Sequence, residues 1–438
     1  MQVESVSQVY EMIYPSIYMI TLQGSLIYLL SIGDLSANIP QFWAGVIIAF
    51  LAYALSAKAV MRGSFFSTKT ILLFALVFRI TMWFTSPSLS DDIYRYIWDG
   101  HVQLSGINPY ILPPNDKTFF EIRNEIFPLL NHRDIQTIYP PFSQIFFLFC
   151  AFIGKSIGIF KIFLIFVEGL LCLLLIRLLI DRKMDSKRVI FYAWHPLPLI
   201  EISGSGHIDI LGIFFMMSFL FCMNKNRFLI SPIILALGFL SKILPILLLP
   251  SAIVDIIRKN QSKYWVSFFI LIFIIIVVIF SAPYATAGVQ AFTGLFIYAK
   301  TWHFNDLIHG LLSTILDRFQ LNGNQNARTI CISLLAATII YKIHRESDLI
   351  RIAFSTLTAF IILSPTLHPW YLLWIVPFFC LFPKISWILF SCLLFLSYEV
   401  LINYKSNGVW EEQQWVIWCE YVPLFSILLW EKLRYYRR

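Results

Sequence analysis

Charge is what this sequence has least of. Only 13% of its 438 residues are Asp, Glu, Lys or Arg, about half the share usual in a soluble globular protein. That scarcity excludes a water-soluble enzyme with an ordinary polar surface. No Gly-rich phosphate loop and no dinucleotide fingerprint is present, so nothing here is built to cradle a nucleotide. Histidines show no HxxxH or HExxH spacing. The seven cysteines, Cys150, Cys172, Cys222, Cys331, Cys380, Cys392 and Cys419, form no CxxC and lie almost all inside apolar runs. They read as small buried hydrophobes, without a disulfide framework or zinc site. There is no internal repeat, no low-complexity tract and no Lys/Arg-rich stretch suited to nucleic acid. The first apolar segment, near Ile13 to Ile32, has neither a basic leader nor a small-residue cleavage pattern.

Apolar sequence is abundant instead. Hydrophobic residues make up 58% of the chain, mean hydropathy is +0.74, and runs near twenty residues recur from end to end. This is the signature of a polytopic helical membrane protein. Apolar segments start near Ile13, Gln41, Thr70, Ile162, Val189, Ile208, Phe228, Ile243, Tyr264, Thr329, Leu349, Pro369, Ile385 and Val416. An all-α bundle of roughly 12–14 spans follows, several of them near the ~17-residue minimum. Segments flanking Lys242 are expected to be broken or re-entrant. The net charge of +8 fits the excess of Lys and Arg on cytoplasmic loops better than it fits a nucleic-acid partner.

Those basic loops orient the chain. Lys58, Arg62 and Lys69 precede the third span, so its far end, with Asp91 and Asp92, faces outward. The run from Asp181 to Arg188 is the next cytoplasmic turn. An even number of crossings must separate them, so Phe142 to Ile153 is expected to lie on the outer leaflet as an interfacial helix, with Lys155 and Lys161 reaching to headgroups. The whole chain, 1–438, then reads as one membrane domain carrying two long outer loops, Ser86 to Lys161 and Ser281 to Arg328. Loops that long usually carry function.

The first outer loop opens with Ser90-Asp91-Asp92-Ile93-Tyr94-Arg95-Tyr96-Ile97-Trp98-Asp99-Gly100. Carboxylates and an arginine packed among aromatics at a helix mouth are costly to desolvate. Asp91 and Asp92 suit a general base and its orienting partner, or a divalent cation, the only cofactor the chain suggests. The structural competitor is an Asp capping a helix over Ile93 to Asp99, with Asp99 pairing Arg95 at i, i+4. The stretch from Trp194 through Glu201 to Asp209 has proline pairs and glycines that break a helix where polar groups line a cavity, exposing His207 and Asp209. Lys242 sits in apolar sequence and needs an anionic partner: a lipid-linked phosphate, or a structural pair with Glu168 or Glu201. Asn305 in the second loop and His368 in the turn before Pro369-Trp370-Tyr371 are further polar candidates.

These motifs, in this order, resemble the GT-C superfamily of polytopic glycosyltransferases. Within it they look like the bacterial α-mannosyltransferases that use polyprenyl-phosphate-mannose, and more distantly the first mannosyltransferase of GPI-anchor assembly. The resemblance rests on Asp91-Asp92 with Tyr94-Arg95-Tyr96 and Trp98-Asp99-Gly100, on Asn108-Pro109-Tyr110 and Tyr139-Pro140-Pro141, then on Gly206-His207 with Asp209, Lys242 with Pro245, and His368-Pro369-Trp370-Tyr371. It implies amphipathic helices in the first outer loop and an acidic residue there as catalytic base, Asp92 fitting best and Asp91 remaining open. The implied activity moves a hexose, mannose above all, from a polyprenyl-phosphate carrier to a hydroxyl of a glycan or glycolipid at the outer face of the bacterial cytoplasmic membrane, by inverting displacement. Arg95, Asp99, Tyr139, His207, Asp209, Lys242, Asn305 and His368 form the expected substrate-binding set. The bilayer is a partner and nucleic acid is not. A flippase for lipid-linked sugar or a polysaccharide polymerase or ligase are the rival readings. The flippase predicts repeat symmetry that the chain lacks, and the polymerase a strongly basic late loop.

The orientation is directly testable. In a background without native cysteines, single cysteines in the Lys58–Lys69 and Asp181–Arg188 loops should resist a membrane-impermeant thiol reagent in intact cells, and one at Asp116 should react. Labelling of the Asp181–Arg188 loop from outside would make Phe142 to Ile153 a true crossing and invert everything after it.

Overall fold

The computed structural model describes residues 2–63, 66–259 and 263–436, with the side chains of 2–15 and 435–436 left out. Among the described residues the regular structure is helical, the one β-feature being an isolated bridge from Phe304 to Thr366. Among the described residues five helices are long and apolar enough to cross a membrane: Ile39–Met61, Ile157–Asp181, Lys263–Thr301, Gly323–Arg345 and Ile385–Asn407. Shorter apolar helices accompany them, among them Ser16–Ile32, Asp209–Asn224 and Leu349–Leu363. The chain is an all-α, multi-pass membrane protein. It divides into two compact units: one holds the chain before Ser90, Glu168–Ser205 and the chain from His368 on; the other holds Ser90–Val167 and Gly206–Leu367.

Several apolar segments are broken rather than continuous. Near Val189 the chain forms only short pieces: a helix Ile190–Ala193, a turn Pro196–Pro198 and a π-helix Leu199–Gly204. The helix Ser231–Ser241 stops at Lys242, whose backbone is extended (φ −150°, ψ 140°), and a 3₁₀ turn, Leu244–Leu248, follows. Pro369–Trp374 and Val376–Cys380 are likewise 3₁₀. Pro196, Pro245, Pro369 and Pro377, each in the first turn of its piece, remove donors and oppose continuation from the preceding segment.

In the first unit, α1 (Gln2–Ile32), α2 (Ile39–Met61) and α3 (Thr68–Trp83) lead. Its polar centre is Arg79 of α3, 3% exposed, which pairs with Glu168, 0% exposed, at 2.8 Å. Most of the remaining hydrogen-bonding capacity of this pair is met, Arg79 Nε being buried without a partner. Arg79 Nη1 donates to the carbonyls of Ala75 and Ala193, and Glu168 accepts from Tyr192 and Ser203. One ion pair thereby ties α3, the helix Ile190–Ala193 and the π-helical segment together. Glu201, in that segment, accepts a 2.9 Å bond from Tyr398. Neither glutamate is therefore the partner of Lys242.

In the second unit, α4 (Asp92–Leu104) packs against α5 (Pro141–Ile153) so closely that a Cβ on Gly100 would lie 2.5 Å from the carbonyl oxygen of Phe147. Only glycine allows that approach. Asp99 joins the pair, accepting from Arg95 (2.9 Å) and from Gln144 (2.9 Å), while Arg95 also donates to the Ile135 carbonyl. At thirteen residues, α5 reaches about 20 Å, short of the ~30 Å hydrocarbon core. Phe149, Phe152 and Ile153 are exposed on it. α6 (Ile157–Asp181) begins just beyond. Lys161, expected to reach headgroups, is instead 0% exposed. Its Cγ lies 3.5 Å from the place a Cβ would take on Gly206, in space that a side chain there would otherwise fill.

Removing one partner of the Arg79–Glu168 pair leaves a charge in an apolar interior. Glu168→Gln should cost roughly 3–5 kcal/mol, read as a lower thermal midpoint in detergent, and Arg79→Met/Glu168→Gln should recover much of it.

Candidate active site

The second unit brings together residues scattered over about 150 positions of sequence. Asp92 opens α4, where a carboxylate is favoured by the helix dipole. Ser90 Oγ, not an Asp side chain, accepts from the Asp92 backbone N–H, and Asp91, the N-cap, makes no side-chain capping bond. The capping explanation of the acidic pair therefore fails for this helix. Asp91 is exposed and Asp92 keeps about 25% of its side chain accessible.

Around the Asp92 carboxylate stand groups from its own helix and from three other segments. His207 Nδ1 lies 3.7 Å from Asp92 Oδ2. Tyr96, one helical turn on, donates to the same oxygen at 3.5 Å. Lys242 Nζ is 3.4 Å from Asp209 Oδ2 and 5.7 Å from the centre of the Tyr139 ring. Tyr139 in turn meets the Tyr96 ring edge-on at 4.9 Å. His207 is placed by Gly206, whose φ of +84° is glycine territory and whose missing side chain leaves room for Ile93: a Cβ would lie 2.4 Å from Ile93 Cδ1. Lys242 is placed by the end of its helix, where Ser143 of α5 donates to the Ser241 carbonyl at 2.6 Å.

The electrostatics of Asp92 follow from these neighbours. Burial raises its pKa most, and the carboxylates of Asp209 and Asp91 act in the same direction. Lys242 and the Tyr96 hydroxyl pull it back, leaving it at about 6. Burial also holds the Tyr96 and Tyr139 phenols well above their usual range, so both stay protonated. A carboxylate near 6, beside a cation and an imidazole, can accept a proton at neutral pH.

The other expected residues lie elsewhere. Arg95 and Asp99 hold each other and the loop before Tyr139, as described above. Asn305 is 2% exposed, with φ +52°, beside the Phe304–Thr366 bridge. His368 belongs to the first unit and stacks on Trp370 at 4.3 Å. Tyr96 lies outside the expected substrate-binding set; its i, i+4 spacing from Asp92 is the signal that it shares the carboxylate's face. Lys161 had no signal beyond being a charge in an apolar run. Among the described residues no group of three or more His, Cys, Asp or Glu is placed to hold a metal ion.

Because the pKa of Asp92 is raised in the folded state, its ionisation works against folding. That cost is absent below about pH 4, where the carboxylate is protonated folded or unfolded, and is fully present above about pH 6. Asp92→Asn should therefore melt higher than the parent protein at pH 8 and level with it at pH 4, measured by thermal unfolding in one detergent.

The family model described as alpha-(1->6)-mannopyranosyltransferase, N-terminal domain, matches residues 22–258, a stretch that contains Asp91, Asp92, Tyr139, His207, Asp209 and Lys242. No curated protein and no solved structure matches the chain. With more than half of its length matched by that model and a helical, multi-pass fold, the chain belongs to the alpha-(1->6)-mannopyranosyltransferase family and is a membrane mannosyltransferase of the GT-C type.

Proposed function

We propose that this protein transfers mannose from a polyprenyl-phosphate carrier to a hydroxyl of a glycan or glycolipid at the outer face of the membrane, with Asp92 as general base. The observation that carries the reading is the convergence of Asp92 with His207 and Lys242 in one unit. A base next to cationic and hydrogen-bonding groups is what displacement of a phosphate by an alcohol requires. The acceptor oxygen attacks the anomeric carbon and gives its proton to Asp92. The bond from that carbon to the phosphate oxygen breaks, and its electron pair leaves with the lipid phosphate. Lys242 and His207 stabilise the charge growing on that phosphate, an effect strongest where water is scarce. Direct displacement inverts the anomeric carbon, so a β-linked donor gives an α-linkage. Asp91, exposed beside Asp92, orients the incoming hydroxyl. A lipid-borne phosphate needs no nucleotide-binding fold, and its placement outside the cytoplasm follows from the charge distribution of the loops.

The test is release of lipid phosphate by the purified protein from synthetic polyprenyl-phosphate sugars, mannose against glucose, galactose and arabinose. Asp92→Asn should fold normally and lose about 10²–10⁴-fold in turnover. The parent enzyme should lose activity as pH falls through about 6, where Asp92 takes up its proton. Lys242→Met should weaken donor use about ten- to a hundredfold, the scale of one charge-assisted bond. Retention of more than a tenth of turnover in Asp92→Asn with a dead Asp91→Asn would transfer the base to Asp91.

A further inference from the structure

We infer that Asp209 is the resting counter-ion of Lys242, holding the ammonium in place and giving it up to the anionic phosphate of the donor. It is a positioning residue, not a ligand for the substrate. The inference rests on the donor-phosphate role proposed above for Lys242.

The geometry of the pair points to exchange. Its 3.4 Å separation is longer than the roughly 2.7–2.9 Å of a tight charge-assisted bond. Its burial is lopsided: the Asp209 side chain is 2% exposed and that of Lys242 23%. The carboxylate is thus fixed in the interior while the ammonium stays reachable. Each partner also has support that does not depend on the other. Asp209 occupies the first turn of the sixteen-residue helix Asp209–Asn224, whose dipole stabilises a negative charge there. Lys242 lies where its own helix has ended and the backbone is extended, with the face of Tyr139 as a second contact for its ammonium. A lysine stem on a helix break has the freedom to change partner that a guanidinium in a bidentate clamp would lack.

Direct contact between Asp209 and a phosphate is disfavoured by like charge, which removes Asp209 from the set of donor ligands. Toward the donor, competition for Lys242 is the remaining electrostatic role, beside the effect of Asp209 on the Asp92 pKa. With Asp209 in place, Lys242 binds the donor strongly enough to position it and weakly enough to let the lipid phosphate go. Without it, the phosphate is held too long, and binding gains at the expense of turnover.

The experiment is calorimetric titration of a short-chain isoprenyl monophosphate into the full-length protein in detergent, alongside steady-state transfer. Asp209→Asn should tighten isoprenyl phosphate about tenfold, the scale of one lost competing charge contact, and lower KM for the donor and kcat together. Asp209→Glu, which keeps the charge, should stay near the parent affinity. In Lys242→Met/Asp209→Asn the tightening should vanish, leaving the affinity of Lys242→Met alone. Unchanged or weaker binding in Asp209→Asn overturns the inference, and so does tightening that persists without Lys242. If Lys242→Met itself binds isoprenyl phosphate normally, the donor-phosphate reading falls with it. If Lys242→Met weakens binding while Asp209→Asn changes nothing, only the exchange falls. Should Asp209→Asn not fold, Asp209→Ser retains a short polar group at the helix start and is read the same way; failure of both to fold makes Asp209 structural and overturns the inference.

Discussion

An ionised side chain in an apolar interior must find a partner, and much of this structure is arranged around that requirement. In a chain with so few charges, each buried one commits a piece of backbone. Arg79 and Glu168 draw α3 and the segment before the π-helix onto a single pair, and most of their leftover hydrogen-bonding capacity is taken up by Tyr192, Ser203 and two main-chain carbonyls. Arg95 and Asp99 do the same for α4, α5 and the loop between them. These pairs contribute little net stability against apolar alternatives, but losing one partner is expensive. Their effect is to specify which irregular backbone arrangement is adopted.

The candidate site uses the same physics with longer separations. Asp92, His207, Lys242 and Asp209 are close enough to feel each other, at 3.7 Å for His207–Asp92 and 3.4 Å for Lys242–Asp209, yet looser than a structural bridge such as Arg79–Glu168 at 2.8 Å. A tight pair would quench the base and neutralise the cation. Burial above all, with two carboxylates, raises the pKa of Asp92 against one ammonium and the Tyr96 hydroxyl, leaving the carboxylate near the pH at which it can both take and give a proton. In the reaction we propose, a base of this kind faces a leaving phosphate.

Glycine and proline do the placing. Gly100 lets α5 approach α4, which brings Ser143 to the end of the helix that delivers Lys242. Gly206 leaves room for Ile93, the residue after Asp92, and so brings His207 to the carboxylate. Pro245 lies just after the break that turns Lys242 out of its helix. The polar groups are few because the bilayer tolerates few. The residues that bend the backbone therefore carry much of the information about where those groups meet.

The helical membrane class, the acidic loop and the odd placement of Lys242 and of the Gly206–Asp209 turn were all legible in the sequence. Each depends on local facts: apolar run length, the cost of a charge within it, and the refusal of proline to continue a helix. The i, i+4 pairing of Arg95 with Asp99 was legible for the same reason. What sequence could not decide was partnership. Lys242 had several carboxylates as candidate partners, and the choice of Asp209 over Glu168 and Glu201 came from which broken helices pack side by side. Lys161 was expected at the headgroups and is buried beside Gly206, because the direction a helix face turns depends on its neighbours. A period of 3.6 residues says which side chains share a face; only the packing of distant segments says what that face meets.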